Sequence, residues 1–188
     1  LTDGQPGLGC VEAAIEKGMH VVLANKGPLV LAYPRLAQAA TKKHVRLAFS
    51  ASVTGGLPTV NLGRRDLAGS IIEKVEGVLN GTTNFILTSM AESNMSYEAA
   101  LAEAQRLGIA ETDPTLDVEG FDAANKLIIV ANAALGMPAT LKDVERIGIT
   151  GVTMDDLARA KKRGKVMRLL CLAERNGDSY RLSVKPTA

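Results

Sequence analysis

The chain has 188 residues, 46% hydrophobic and 22% charged, with a formal net charge of +2. That is enough for one domain with a real core or parts of two, and the interleaved, nearly balanced charges give no basis for a nucleic-acid partner or a membrane surface. Aromatics make up 3% and tryptophan is absent, which also speaks against base-stacking platforms.

Taken in chain order, Gly7 to Lys17 reads as a helix stopped by Gly18. Met19 to Ala24 is a continuous apolar run, the pattern of a parallel strand buried on both faces. Asn25-Lys26-Gly27-Pro28 is a turn, with Pro28 suited to the start of a helix running to about Lys43. Val45 to Phe49 reads as a second strand, and helix–strand–helix–strand is the rhythm of a doubly wound α/β sheet. The opening of a dinucleotide-binding unit is missing: Gly4, Gly7 and Gly9 have the wrong spacing for G-x-G-x-x-G, and no strand precedes them. The chain also begins with Leu1, and we expect an internal part of a longer protein.

Ser52 to Pro58 is a small-residue turn leading into an amphipathic segment to about Leu67. Ser70 to Leu79 reads as a strand with one charged face. Asn80 to Asn84 is a polar turn, open to both a capping and a substrate-contact reading, before a helix to about Glu92. Ser96 caps a further helix, Tyr97 to Leu107, closed by Gly108. A long helix begins near Asp117 or Gly120 and ends at Gly136. A strand over Val144 to Ile149 and a helix from Met154 to Arg163, capped by Thr153, come next. Val166 to Glu174 and Tyr180 to Val184 then form a hairpin turning at Asn176-Gly177-Asp178, and the chain stops without a closing element.

Two cysteines, Cys10 and Cys171, lie far apart, and histidine occurs only at His20 and His44. A zinc site needs more ligands at closer spacing, so two buried, reduced thiols in a cytoplasmic protein are expected. No apolar run is long enough to cross a bilayer, and no secretory pattern opens the chain.

The chemistry concentrates between Gly108 and Lys126. Asp122 and Lys126 are four residues apart and share one helix face. An exposed ion pair is the ordinary fate of such a pair, but FDAANKLIIVANAAL is apolar nearly all round, as a buried helix is. A lysine held there is desolvated and suited to exchange a proton near neutral pH, with Asp122 supporting its charge. Glu111, Asp113 and Asp117 stand in the preceding loop; Asp113-Pro114 reads as a turn, and Asp117 either caps the helix or faces a ligand. Lys26 follows a strand directly, at the end where open α/β sheets bind ligands.

Four motifs in order resemble those of homoserine dehydrogenases: Ala24-Asn25-Lys26-Gly27-Pro28, Ser52-Val53-Thr54-Gly55-Gly56-Leu57-Pro58, Leu79-Asn80-Gly81-Thr82-Thr83-Asn84, and Gly108 to Lys126 with D-P followed by D-x-x-G-x-D-x-x-x-K. The resemblance implies an NADP- or NAD-dependent oxidoreductase interconverting L-homoserine and L-aspartate 4-semialdehyde, on the route to threonine and methionine. It implies the later part of a Rossmann-like NAD(P)-binding domain over residues 1–50. Residues 51–188 would be an α+β catalytic and dimerisation domain with helices packed on a mixed β-sheet. By the same resemblance Lys126 is the proton-transferring lysine and Asp122 binds the homoserine amino or hydroxyl group. Glu111 and Asp117 line the substrate pocket, Gly108 and Glu111 lie at the cofactor, and Lys26 lies beside cofactor and substrate. Backbone carbonyls of Val53, Gly55 and Leu57 match a monovalent cation site for Na or K, weakened because Ser50 stands where many members carry a glutamate. A homodimer is expected, since the apolar strands over Ile71–Leu79 and Val166–Leu172 would otherwise leave edges to cover. Two readings stay open beside this one: a non-catalytic oligomerisation module that binds no NAD(P), and another two-domain semialdehyde reductase.

Overall fold

A computed structural model describes residues 4–188; Leu1 and the rest of residues 1–3 lie outside the described part. The chain forms two compact units. One comprises Leu1–Lys74, Asn125–Asp143 and Glu174–Tyr180, the other Val75–Ala124, Val144–Ala173 and Arg181–Ala188.

In the first unit, α1 (Gly4–Glu16) and α2 (Gly27–Lys42) pack on a two-stranded parallel pair, β1 (Val21–Val22) and β2 (Leu47–Ala48), in the register Val21 to Leu47. The helices present apolar residues one or two turns apart: Leu8, Val11 and Ile15 from α1 meet Ala32, Leu36 and Ala40 from α2, with Val21 below. Pro28 stands in the first turn of α2, as expected. The helix is kinked at Ala32, two residues before Pro34, whose ring cannot continue regular helix geometry. β1 is shorter than Met19–Ala24 and is not buried on both faces: Val21 is 8% exposed and Val22 84%. Among the described residues only β2 pairs with it, and Val22 lies open to solvent on one face.

Ser52 to Pro58 is not a plain turn. Its first part is a helical turn, α3 (Ala51–Thr54), anchored by the Ser52 hydroxyl donating to the Leu23 carbonyl at 3.0 Å. α4 (Thr59–Asn61) and a π-helical turn (Leu62–Asp66) follow. Gly63 is required there, because a Cβ at that position would collide with the Cβ of Ala134.

The second sheet has four strands in the order β3, β5, β6, β4: β3 (Lys74–Gly77), β4 (Val144–Arg146), β5 (Arg168–Asn176) and β6 (Ser179–Thr187). β4 runs parallel to β6 with Val144 beside Leu182, whereas β5 and β6 form the expected hairpin through Gly177-Asp178, so the sheet is mixed. β3 and β4 are shorter than Ser70–Leu79 and Val144–Ile149. The hairpin return does not stop at Val184: β6 continues to Thr187 and fills the sheet interior. β5 is an inner strand, so Val166–Leu172 supplies no open edge. Along β5, Leu169, Cys171 and Ala173 are buried while Leu170 and Leu172 are half-buried on the opposite face, the period of two of a strand.

The remaining helices are α5 (Gly81–Ser93), α6 (Tyr97–Arg106), α7 (Thr115–Val118), α8 (Phe121–Ala134) and α9 (Met154–Lys162). Asn80, Ser96 and Thr153 cap α5, α6 and α9 through their side chains, as their sequence positions predict. Of the two starts expected for the long helix, Asp117 or Gly120, the second holds: α8 begins at Phe121, and Asp117 lies in the separate α7, with Gly120 at φ +78° between them. Cys171 is buried, but Cys10 is exposed on α1. Among the described residues no helix is long and apolar enough to cross a membrane.

Candidate functional site

The site is built around the first residue of the Asn80–Asn84 turn. The Asn80 Oδ1 accepts from the Thr83 backbone N–H at 2.9 Å, which caps α5, and from the Thr83 hydroxyl, also at 2.9 Å. The amide is thereby oriented with its NH2 group outward. That group donates to Asp117 Oδ1 at 2.6 Å and to Asp122 Oδ2 at 2.9 Å. Asn80, Thr83 and Asp122 are 5%, 0% and 9% exposed. Two carboxylates are thus gathered on one buried amide.

The loop carrying them is fastened on both sides. Thr82 donates from its hydroxyl to the Ile109 carbonyl at 3.1 Å, tying α5 to the Gly108 turn. Gly108 is exposed with φ +70°, the left-handed stop after α6. Gln105 Nε2 donates to the carbonyls of Glu111 and Thr112 at 3.2 Å each. Asp113 accepts from the Thr115 N–H at 3.1 Å and hydroxyl at 2.6 Å; the two bonds hold its carboxyl below the usual range and start α7. Asp113 is therefore a turn residue, as expected. Asp117 lies within α7 and does not cap α8; its carboxylate faces Asn80 instead.

Beyond α7 the chain is clamped to β4. The Arg146 guanidinium stacks on the Phe121 ring at 3.6 Å and donates to the Glu119 carbonyl, while the Ile149 N–H donates to the Val118 carbonyl at 2.8 Å. Gly148 passes so close that a Cβ would lie 2.5 Å from the Val118 oxygen. A cavity of about 650 Å³ opens beside this clamp, lined by Glu119, Arg146, Gly148, Thr150 and Asp156. Its carboxylates already serve Thr150 and Thr153, and neither Asp117 nor Asp122 lines it. Tyr97 has its phenol pushed up by burial, then by the Glu119 and Glu98 charges, so it stays neutral.

The structure therefore joins Asp117 and Asp122 through Asn80. Glu111, in the same loop, is exposed. Lys126 stands one turn after Asp122 on α8 and is half-buried rather than enclosed, although Leu127, Ile128 and Ile129 after it are at most 1% exposed. The reason is periodicity: positions 125, 126, 132 and 133 recur seven apart and form one half-buried stripe on a helix that is buried over 122–124 and 127–131. Asn80, Asp117 and Asp122 belong to the second compact unit, whereas Lys26, the Val53–Leu57 turn and Lys126 belong to the first. Lys26 occupies the N-cap position of α2, four residues after β1, and is half-buried. Val53 is buried in α3, Gly55 ends α3 with φ +60°, and the Leu57 carbonyl accepts from the Thr54 hydroxyl at 2.8 Å. Among the described residues no three His, Cys, Asp or Glu side chains cluster as a metal site. Asn80 and Thr83 carry the site's geometry; the sequence leaves their turn open between capping and substrate contact, and the surplus amide donors of a buried cap asparagine are the signal that singles them out.

The homoserine dehydrogenase family model matches residues 58–188. The chain belongs to the homoserine dehydrogenase family. It is 46% identical over 170 residues to the homoserine dehydrogenase of Methanocaldococcus jannaschii, covering 90% of this chain and 51% of that protein. It is 41% identical over 185 residues to the NAD(+)-dependent homoserine dehydrogenase of Pseudomonas canavaninivorans, covering 98% and 52%. The chain thus spans about half the length of these relatives. Among solved structures, the homoserine dehydrogenase of Thiobacillus denitrificans superposes with a TM-score of 0.92 at 40% identity, over 97% of this chain and 42% of that one. A hyperthermophilic archaeal homoserine dehydrogenase in complex with NADPH gives 0.85 at 30% identity, over 100% and 54%. The mixed sheet with packed helices is the homoserine dehydrogenase architecture.

Proposed function

We propose that this chain carries the substrate-handling part of an enzyme that interconverts L-homoserine and L-aspartate 4-semialdehyde with NADP or NAD. The observation that carries the reading is the Asp117–Asp122 pair gathered on Asn80, one helical turn before Lys126. Two carboxylates on one amide suit the ammonium of an amino-acid substrate. Lys126, one turn further along α8, is the proton-transferring group. In oxidation its neutral amine takes the hydroxyl proton as hydride leaves the carbinol carbon; in reduction its ammonium returns a proton to the carbonyl oxygen. The nicotinamide, when bound, accepts or donates that hydride. Lys26 suits this cofactor, since it stands four residues after a parallel strand, at the start of α2. Gly108 and Glu111 contribute to the same pocket, Glu111 and Lys26 toward substrate as well as cofactor.

The finer readings have narrower support. Carbonyls of Val53, Gly55 and Leu57 form a weak Na or K site; with Ser50 beside the turn instead of a carboxylate, the donor set is neutral. Residues 1–50 serve the nucleotide and residues 51–188 catalysis and dimerisation. The homodimer is supported by the half-buried apolar face of β5 and by the edge strand β3 within Ile71–Leu79. A cytoplasmic setting suits two reduced cysteines, Cys10 and Cys171, and a soluble nicotinamide.

The test is nicotinamide reduction by L-homoserine in an enzyme containing this chain. Lys126→Ala is expected to lower turnover by on the order of a thousandfold. Near-full turnover in that variant would sink the assignment.

A further inference from the structure

We infer that Asn80, oriented by Thr83, is a positioning residue that sets the selectivity of this site for substrates bearing an ammonium group. The inference rests on the substrate reading above and goes one step behind it, from the carboxylates to what holds them. An asparagine amide has two N–H donors and one oxygen with two acceptor sites. Here every one is engaged: the oxygen by the Thr83 N–H and hydroxyl, the NH2 by Asp117 and Asp122. The Thr83 contacts rule out the flipped amide, because a flipped NH2 would face the Thr83 N–H donor. The two bonds to the acids leave their oxygens no more than about 5.5 Å apart. Held so close, like charges repel, and a buried neutral dipole donating to both offsets that repulsion without neutralising either. Both carboxylates are therefore held in one fixed geometry. A plain capping role needs only the oxygen; the two donors reaching acids 37 and 42 positions away serve no cap.

The distinction can be measured, because serine also caps a helix but lacks the NH2 group. Binding of L-homoserine and of its deaminated analogue 4-hydroxybutanoate would be followed by NMR on the 188-residue chain and on Asn80→Ser. Circular dichroism melting would confirm that the variant folds, and Asn80→Asp, with an equally good cap, serves as the second variant. The unsubstituted chain is expected to prefer L-homoserine. Both variants are expected to lose about tenfold or more of that affinity while binding the analogue as before, so the preference collapses. Undiminished preference in a folded Asn80→Ser would overturn the inference and leave the substrate reading standing. Equal binding of the two ligands by the unsubstituted chain would overturn the ammonium role. No binding of L-homoserine by that chain would overturn the substrate reading and this inference with it.

Discussion

At the scale of single residues, the site depends on glycines as much as on acids. Gly120 and Gly148 flank the same clamp but for different reasons. Gly120 has φ +78°, so an alanine there costs about 1–2 kcal/mol in backbone strain. Gly148 has an ordinary backbone, but an alanine Cβ would meet the Val118 oxygen at 2.5 Å and the Glu119 Cα at 2.8 Å, both main-chain atoms that cannot swing aside. Overpacking of that kind costs about 1–3 kcal/mol. Chemical denaturation should therefore rank Gly148→Ala at least as destabilising as Gly120→Ala. Because Ile149 and Val118 share a hydrogen bond, Gly148→Ala should also disturb the Asp117 loop, visible as shifted amide resonances there. A Gly148→Ala variant as stable as the parent would show that the approach relaxes easily.

At the scale of elements, α9 is governed by its first turn. Thr153 accepts from the Asp156 N–H at 3.2 Å, and Asp156 accepts from the Thr153 N–H at 2.9 Å and hydroxyl at 2.6 Å. Thr153→Ala is expected to cost about 1 kcal/mol, read from the shift in denaturation midpoint. The Asp156 carboxyl is held below its usual range by the Thr153 hydroxyl, then the Thr153 N–H, with Arg159 adding to it. Asp143 is held low in the same direction by the Thr140 N–H and hydroxyl. For a carboxyl whose folded value is depressed, the stabilisation is fully present above the unfolded value near 3.9 and is lost as pH falls through the folded value. Stability should therefore fall below about pH 4, and Asp156→Asn should flatten that fall in melting experiments. An unchanged acid limb would mean that these caps do not report on folding.

At the scale of the whole molecule, the second sheet offers a face at β5 as well as an edge at β3. Leu170 and Leu172 lie half-buried on the side of β5 opposite Leu169, Cys171 and Ala173, whereas β5 itself is paired on both sides. If that face joins two copies, Leu172→Lys should convert a dimer to a monomer in gel filtration at micromolar concentration. An unsubstituted chain that elutes as a monomer would remove the dimer from the proposal for these residues.

How much of this was legible beforehand follows from the range of the interactions involved. The caps at Asn80, Ser96 and Thr153, the Asp113 turn and the Gly108 and Gly136 stops are written within a few residues, because a cap bonds to N–H groups two or three positions away. The spacing of Asp122 and Lys126 on one helix face is local in the same sense. The partner of Asn80 is not local. An asparagine before G-T-T-N caps its helix whatever surrounds it, but only the packing of α5 against the α7 turn brings Asp117 and Asp122 to its amide. Likewise an apolar run such as Met19–Ala24 states that a strand wants burial, not which face is covered, and Val22 is left open. The glycine at 148 reads as any glycine until the backbone of Val118 arrives beside it. The sequence by itself determined the element types, their ends and the family motif, because those rest on neighbours along the chain. The tertiary structure decided which carboxylates share an amide, which lysine is half-covered and which sheet face stays open, because those rest on neighbours brought together only by folding.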